Sequence, residues 1–174
     1  MAAFKYRMGA GFAGDVNRTH PATIEPTLVN STAVTAPTAF GQAVILDTTS
    51  QAIRPFASGD ASDSVQKTAY GMTVRPYPYS PSTATNYGAA DFGTGAPPSK
   101  GITDVLRAGY ILAKVNGTTT KGGVVYVWCA ATSGTHVLGQ LEAGFSSTNT
   151  AVLAGATFNG VPDANGIVEI AFNI

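Results

Sequence analysis

Two histidines and one cysteine are the side chains best suited to metal binding or nucleophilic chemistry. His20 and His136 lie far apart, and neither occurs in an H-x-E, H-E-x-x-H or Cys-paired pattern of the kind that holds zinc. Cys129 lies within an apolar run, which favours a buried small side chain over a reactive thiol. A Cys129–His136 dyad is an alternative that the sequence leaves open. The spacing therefore predicts no metal site and no cofactor.

The carboxylates occur where turns need them. Asp60, Asp63 and Asp91 lie in polar segments, and although two carboxylates can hydrolyse a glycoside, Asp is also favoured in loops for local hydrogen bonding. The segment 163–166 resembles part of a calcium loop but lacks the remaining ligands and the final Glu. The chain has neither a G-x-S-x-G elbow nor a phosphate-binding Gly-Lys-Ser/Thr loop. We predict that the protein is not an enzyme.

The composition excludes several classes of partner. The 174 residues carry no formal net charge, and charged residues make up 11% of the chain, against about 25% in a typical soluble domain. This balance gives neither the basic footprint of a nucleic-acid-binding protein nor a polybasic membrane patch, and no apolar run approaches the ~20 residues of a membrane span. A single cysteine excludes an internal disulfide. So little charge suits a protein that is packed against others.

Short extended segments separated by turn residues indicate an all-β domain. The densest runs, VLRAGYILAKV and VVYVWCAAT, flank NGTTTKGG within 105–132, and this pattern predicts a central hairpin whose second strand is apolar on both faces. Segments 42–47 and 52–56 predict a second hairpin. Alternation over 167–174 predicts a strand with Val168, Ile170, Phe172 and Ile174 facing the core; only 102–106 resembles a helix. Eight or nine short strands favour a sandwich or barrel.

Two stretches lie outside this pattern. Residues 1–22 mix aromatic and basic side chains with glycines and are interpreted as an extended N-terminal arm, either a disordered end or a segment that orders against a neighbouring subunit. The single β-domain then spans 23–174. Within it, residues 76–100 form a long loop rich in Tyr, Pro, Gly and Ser, and a loop of this length and aromatic content is expected to pack on its own sheet or on a partner.

Several segments, taken in order, resemble the cement (decoration) proteins that coat the capsids of tailed bacteriophages. They are GFAGDVNRTHPATIEPTLV, PTAFGQAVILDTTSQAIRPF, AYGMTVRPYP, DVLRAGYILAKV with KGGVVYVW, and ATFNGVPDANGIVEIAFNI. The resemblance implies a small barrel or jelly-roll-like sandwich, made in the bacterial host cytoplasm, that coats the outside of the virion. It also implies that the protein contacts the major capsid protein and other copies of itself, and stabilises the shell.

Residue type then predicts the contacts. Aromatic and arginine side chains are the usual anchors of protein interfaces, so we expect the arm and the aromatic loop to supply the capsid and self interface. The predicted interface residues are Phe4, Tyr6, Arg7, Phe12, Arg18, Tyr77, Tyr79, Tyr87 and Phe92. The competing hypothesis is a glycan- or host-surface-binding β-domain, in which the rings of the 76–100 loop stack on sugars.

Overall fold

The computed structural model describes residues 10–61, 68–76 and 95–174. These residues form nine β-strands and one short 3-10 turn, Ser58–Asp60. The strands are β1 (Thr23–Asn30), β2 (Ala43–Asp47), β3 (Ala52–Pro55), β4 (Gly71–Thr73), β5 (Lys100–Asn116), β6 (Val124–Trp128), β7 (Leu141–Glu142), β8 (Thr150–Phe158) and β9 (Ile167–Phe172). The all-β fold class is confirmed. Within the described ranges, no helix is long and apolar enough to cross a membrane.

The 17-residue strand β5 is shared by two rings of strands. In the first lobe, the order β1-β3-β2-β4-β5 is closed by pairing of β1 with residues 100–108 of β5. In the second lobe, the order β5-β7-β6-β8-β9 is closed by pairing of β9 with residues 109–114. Closing a sheet on itself leaves few open edges. The fold is therefore two small barrel-like lobes built on one continuous strand.

Gly109 lies where β5 changes partner from β1 to β9. Its φ is +142°, and a Cβ at this position would lie 2.8 Å from the carbonyl oxygen of Pro21 and 3.2 Å from the Cα of Ala22. A positive φ and the close approach of a second backbone are the two conditions that favour glycine. Gly109 thus allows one strand to serve both lobes.

The apolar core is divided unequally. A large cluster runs through the second lobe into the first, and a smaller one formed by Val29, Val44, Ile53 and Val105 lies inside the first lobe. In β6, Val125 and Val127 are fully buried, and Cys129 just beyond the strand is 1% exposed, as the strand pattern predicted. The opposite face is only partly covered, because Val124 is 49% exposed.

Three sequence predictions fail and two are confirmed. The predicted central hairpin is wrong, because β7 lies between β5 and β6, parallel to β5 and antiparallel to β6. In the loop that connects β5 to β6, the buried side chain of Thr119 donates to the carbonyl of Gly160 at 2.7 Å. Residues 102–106 form part of β5 rather than a helix, and Ile174 is 61% exposed rather than in the core. The β2–β3 hairpin and the inward face of β9 are confirmed.

Candidate functional site

An exposed apolar stripe runs along the outer face of the first lobe. Side chains alternate along β1, so Ile24, Pro26 and Leu28 point outward while Thr27 and Val29 point inward. Leu28 pairs directly with Ile102 of β5. Ile24, Leu28 and Ile102 are 44%, 41% and 69% exposed. We call Ile24, Pro26, Leu28 and Ile102 the β1–β5 stripe and consider it a candidate contact surface.

Charged side chains border the stripe without covering it. Asp104 is exposed opposite Pro26, and Lys100 is exposed two residues before Ile102. Outward alternation along β5 puts both charges on the same face as Ile102. The stripe therefore offers apolar contact with one acidic group in its middle and one basic group at its end.

Side chains from β1, β5 and the segment before β4 form a polar network. The guanidinium of Arg107 lies 3.8 Å from the centre of the Tyr70 ring, and its Nε lies 3.6 Å from a carboxylate oxygen of Glu25. The Tyr70 hydroxyl donates a hydrogen bond to Glu25, and this bond, assisted by burial, raises the pKa of Tyr70. Tyr70 therefore stays protonated and keeps β1 tied to the segment before β4.

A second apolar patch lies on the outer face of the second lobe. Val124 and Phe145 are each 49% exposed, and the rings of Tyr126 and Phe145 are 5.8 Å apart between centroids. Tyr126 pairs with the half-buried Val152 of β8. We call Val124, Tyr126, Phe145 and Val152 the β6–β8 patch. A groove of about 230 Å³ beside Val124 and Tyr126 is lined further by the threonines 118–120 and by small or apolar residues, so its lining carries no charge.

Residues 10–22 run along β5 of their own chain. The backbone N–H of Gly14 donates to the carbonyl of Leu112 at 2.7 Å, and the N–H of Leu112 donates to Asp15 at 2.9 Å. Gly14 has a φ of +91°, and a Cβ there would lie 2.5 Å from the Cβ of Phe40. This part of the predicted arm is therefore seated against the β-domain.

Arg18 fixes the same segment to the second lobe. Its guanidinium lies 4.0 Å from the centre of the Tyr110 ring, and its Nη2 and Nε donate to the two carboxylate oxygens of Glu169 at 2.6 and 3.2 Å. Burial acts to raise the pKa of Glu169, but hydrogen bonds from Asn159, Asn17 and Arg18 outweigh it and hold that pKa below its ordinary value. Glu169 is thus the ionised acceptor that anchors the arm.

A protein-family model, the XM1 gp53 minor capsid protein, matches residues 1–172. The chain belongs to this phage minor capsid family. Among solved structures, the chain is similar to one in the capsid of Myoviridae phage XM1, with a TM-score of 0.69 over 97% of this chain and 93% of that chain. The two are 16% identical, so this likeness supports the shared fold. No curated protein matches the chain.

Family membership confirms the resemblance to phage capsid-associated proteins. Of the nine predicted interface residues, Phe12 and Arg18 lie in the described part of the chain. Phe12 is 46% exposed beneath Arg75, whose guanidinium carbon lies 5.0 Å from the ring centre, whereas Arg18 is engaged by its own chain. The remaining seven lie outside the described residues: Phe4, Tyr6, Arg7, Tyr77, Tyr79, Tyr87 and Phe92. Their part in an interface stays a prediction.

Three of the side chains considered for catalysis or metal binding, His136, Cys129 and Asp163, make structural contacts within the chain. His136 stacks on Trp128 with centroids 4.2 Å apart, and its Nδ1 lies 2.9 Å from Glu142. The thiol of Cys129 lies 3.4 Å from the carbonyl oxygen of Val127. Asp163 accepts hydrogen bonds from the backbone of Asn165, Ile167 and Ala10, as a turn residue does. Among the described residues, no group of three His, Cys, Asp or Glu side chains is placed to hold a metal.

Sequence reasoning missed both exposed patches. Alternating apolar residues normally mark the inward face of a strand, so Ile24 and Leu28 carry no signal that they face solvent. The one available clue was Pro26, which cannot donate to a sheet and is confined to edges and irregular positions. Val124 was placed in a strand apolar on both faces, and nothing in its run separates the covered face from the exposed one.

Proposed function

We propose that this minor capsid protein binds the outside of a phage capsid and stabilises it by bridging major capsid protein subunits. The observation that carries the proposal is the presence of two exposed apolar patches, one on each lobe. The β6–β8 patch supplies the contact with the shell, and the β1–β5 stripe supplies a second attachment. A bridge needs two attachments, and one continuous strand joins the lobes that carry them.

The size of the patches suits a component of a large assembly. Each patch exposes a few apolar side chains, on the scale of the few hundred Å² seen on ordinary monomers, whereas a stable binary interface buries about 1,200–2,000 Å² in total. Each contact alone is therefore weak. Copies held in a regular array add their contacts through effective concentration, so many weak contacts give the shell a large collective resistance.

The low charge of the chain supports the same function. Charged residues make up 11% of the sequence and the formal net charge is zero. Copies that lie side by side on a shell then repel one another little. This protein would lie on the exterior of the virion after synthesis in the host cytoplasm, and its role there needs no catalysis. The glycan-binding alternative depends on rings of the 76–100 loop that lie outside the described residues.

The test adds purified protein to shells that lack it. We expect the wild-type protein to sediment with the shells and to raise the temperature at which they break. The double variant Val124→Ser/Phe145→Ser should bind at least about tenfold more weakly, because two exposed apolar anchors are lost at the centre of the contact. Val161→Ser is the matched control, since Val161 is 48% exposed but lies outside both patches.

Three results decide the proposal. Sedimentation and added heat resistance that depend on the β6–β8 patch support it. A wild-type protein that stays in the supernatant refutes it. Equal binding by the double variant and the Val161→Ser control would refute the assignment of this patch to the shell contact.

A further inference from the structure

We propose that residues 1–9 of one copy dock on the β1–β5 stripe of a neighbouring copy. This inference rests on the proposed function, because it names the partner of the second attachment. The capsid-bound copies would then be tied to one another, and each tie would cross the seam between the shell subunits beneath them.

The chemistry of segment 1–9 matches the stripe. Phe4, Tyr6 and Met8 alternate with Lys5 and Arg7. In an extended conformation, alternate side chains point to opposite faces, so the three apolar side chains would form one surface and the two cations the other. Large aromatic side chains are the commonest anchors in interfaces, and the stripe offers apolar surface for them.

The charges are also complementary. Asp104 is exposed in the middle of the stripe, opposite Pro26. The long side chains of Lys5 and Arg7 can bend past an apolar contact and place their charged ends beside a carboxylate. Lys100 at the end of the stripe would repel these cations, which favours a position of the segment centred on Asp104.

The described chain begins at the second lobe. The N–H of Ala10 donates to Asp163 at 2.8 Å, in the turn between β8 and β9 of the second lobe. From there the chain runs along β5 past Leu112 and Gly109 and enters β1 at Thr23, in the first lobe. The first described residue is thus held at the second lobe, whereas the stripe lies on the first.

Distance favours a neighbouring copy over the same chain. Docking is centred on Asp104, eight residues of β5 from Leu112 beside the start of the arm, and Ile102 is ten residues away, which corresponds to about 26 and 33 Å along the strand. Only the near end of the stripe, where Ile24 pairs with Leu106, lies closer, at about 20 Å. Phe4 is six residues before Ala10, and six residues span at most about 22 Å even when fully extended. Docking within one chain would also require the segment to reverse direction. A second copy can present its stripe without either requirement.

The experiment joins two singly labelled proteins with a short bis-maleimide. One carries Ala3→Cys and the other Lys100→Cys, so the docking residues themselves are retained, and Cys129 is only 1% exposed. The matched acceptor control is Lys121→Cys, an exposed lysine of the second lobe. The proteins are mixed at about 1 mM, the effective concentration typical of tethered neighbours. We expect at least about ten times more cross-linked dimer with Lys100→Cys than with Lys121→Cys.

Further variants identify the docking surface. Adding Leu28→Ser/Ile102→Ser to the Lys100→Cys protein should reduce the yield of dimer to that of the control, because the apolar surface is removed while the thiol remains. Leu28 and Ile102 are 41% and 69% exposed, so we expect both substitutions to leave the fold intact. An unchanged yield would contradict docking on the stripe.

Two other outcomes would overturn the inference. Equal dimer yields for Lys100→Cys and Lys121→Cys would mean that segment 1–9 does not bind the stripe preferentially and that the stripe has a different partner. An intrachain product from the double variant Ala3→Cys/Lys100→Cys at high dilution would mean that the segment docks on its own chain. Because the cross-linking needs no shells, its failure is separate from failure of the sedimentation experiment.

Discussion

Gln42 joins the two lobes through its side chain, and its replacement by alanine should destabilise the whole protein. The residue is 3% exposed. Its Oε1 accepts hydrogen bonds from the backbone N–H groups of Thr38 and Ala39 at 2.9 and 3.2 Å. Its Nε2 donates to the hydroxyl of Thr38 at 3.2 Å and to the carbonyl of Leu138 at 3.0 Å. Leu138 belongs to the loop before β7, in the second lobe.

The magnitude follows from these contacts. Gln42→Ala leaves two N–H groups and one carbonyl without their partner, and each unsatisfied buried group costs about 1–3 kcal/mol. Partial access of water to the emptied site reduces the sum, so we expect a loss of about 3 kcal/mol in the free energy of unfolding. With a urea dependence of about 2 kcal/mol per M, the midpoint should fall by about 1.5 M.

The assay is urea unfolding followed by tryptophan fluorescence, since Trp128 lies beside the loop that Gln42 holds. Gln42 and Gln140 both line a cavity of about 180 Å³. Gln140→Ala is the matched control, because Gln140 is half-buried there and its replacement should lower the free energy of unfolding far less. Gln42→Glu keeps the shape and the acceptor but removes the donor to Leu138, and it should be nearly as damaging as alanine. A midpoint for Gln42→Ala within about 0.3 M of the Gln140→Ala control would refute the reasoning.

Two further predictions concern the shared strand and the arm. Gly109→Ala should lower the free energy of unfolding by at least about 2 kcal/mol in the same assay, because a side chain at positive φ is strained and its Cβ would overlap the Pro21 carbonyl. A variant as stable as the wild type would contradict this packing. Glu169 has a folded-state pKa below its ordinary value of 4.5, so it contributes stability that is present above pH 4.5 and is lost as the pH falls below 4.5 through the folded-state pKa. Glu169→Gln should therefore flatten the acid side of a plot of urea midpoint against pH, and an unchanged slope would show that Glu169 is not ionised in the way described.

Local patterns predicted local structure well. The turn residues 48–51 between two apolar runs identified the β2–β3 hairpin, and strict alternation identified the buried face of β9. Both features depend on residues close together in sequence, where turn chemistry and side-chain periodicity act directly. The all-β class followed from the same signals repeated along the chain.

Long-range pairing could not be derived in this way. The sequence shows β5 and β6 as neighbours separated by a glycine-rich loop, yet the edge of β5 at Val115 is taken by Leu141 of β7. The two-residue strand β7 has no sequence pattern that predicts its insertion between β5 and β6. The outward direction of Ile24 and Leu28 could not be predicted for the same reason, because it depends on which face of β1 the rest of the lobe covers.

The sharing of β5 also decides how the molecule responds to mechanical load. A force that pulls the two lobes apart along this strand is carried by peptide bonds, because Lys100–Asn116 is continuous through both lobes. The ladders to β1 and β9 have hydrogen bonds roughly perpendicular to that direction, so they resist as a group in shear instead of opening one at a time. If each lobe is attached to a neighbouring component of the shell, as proposed, this geometry would carry tension between the two attachments.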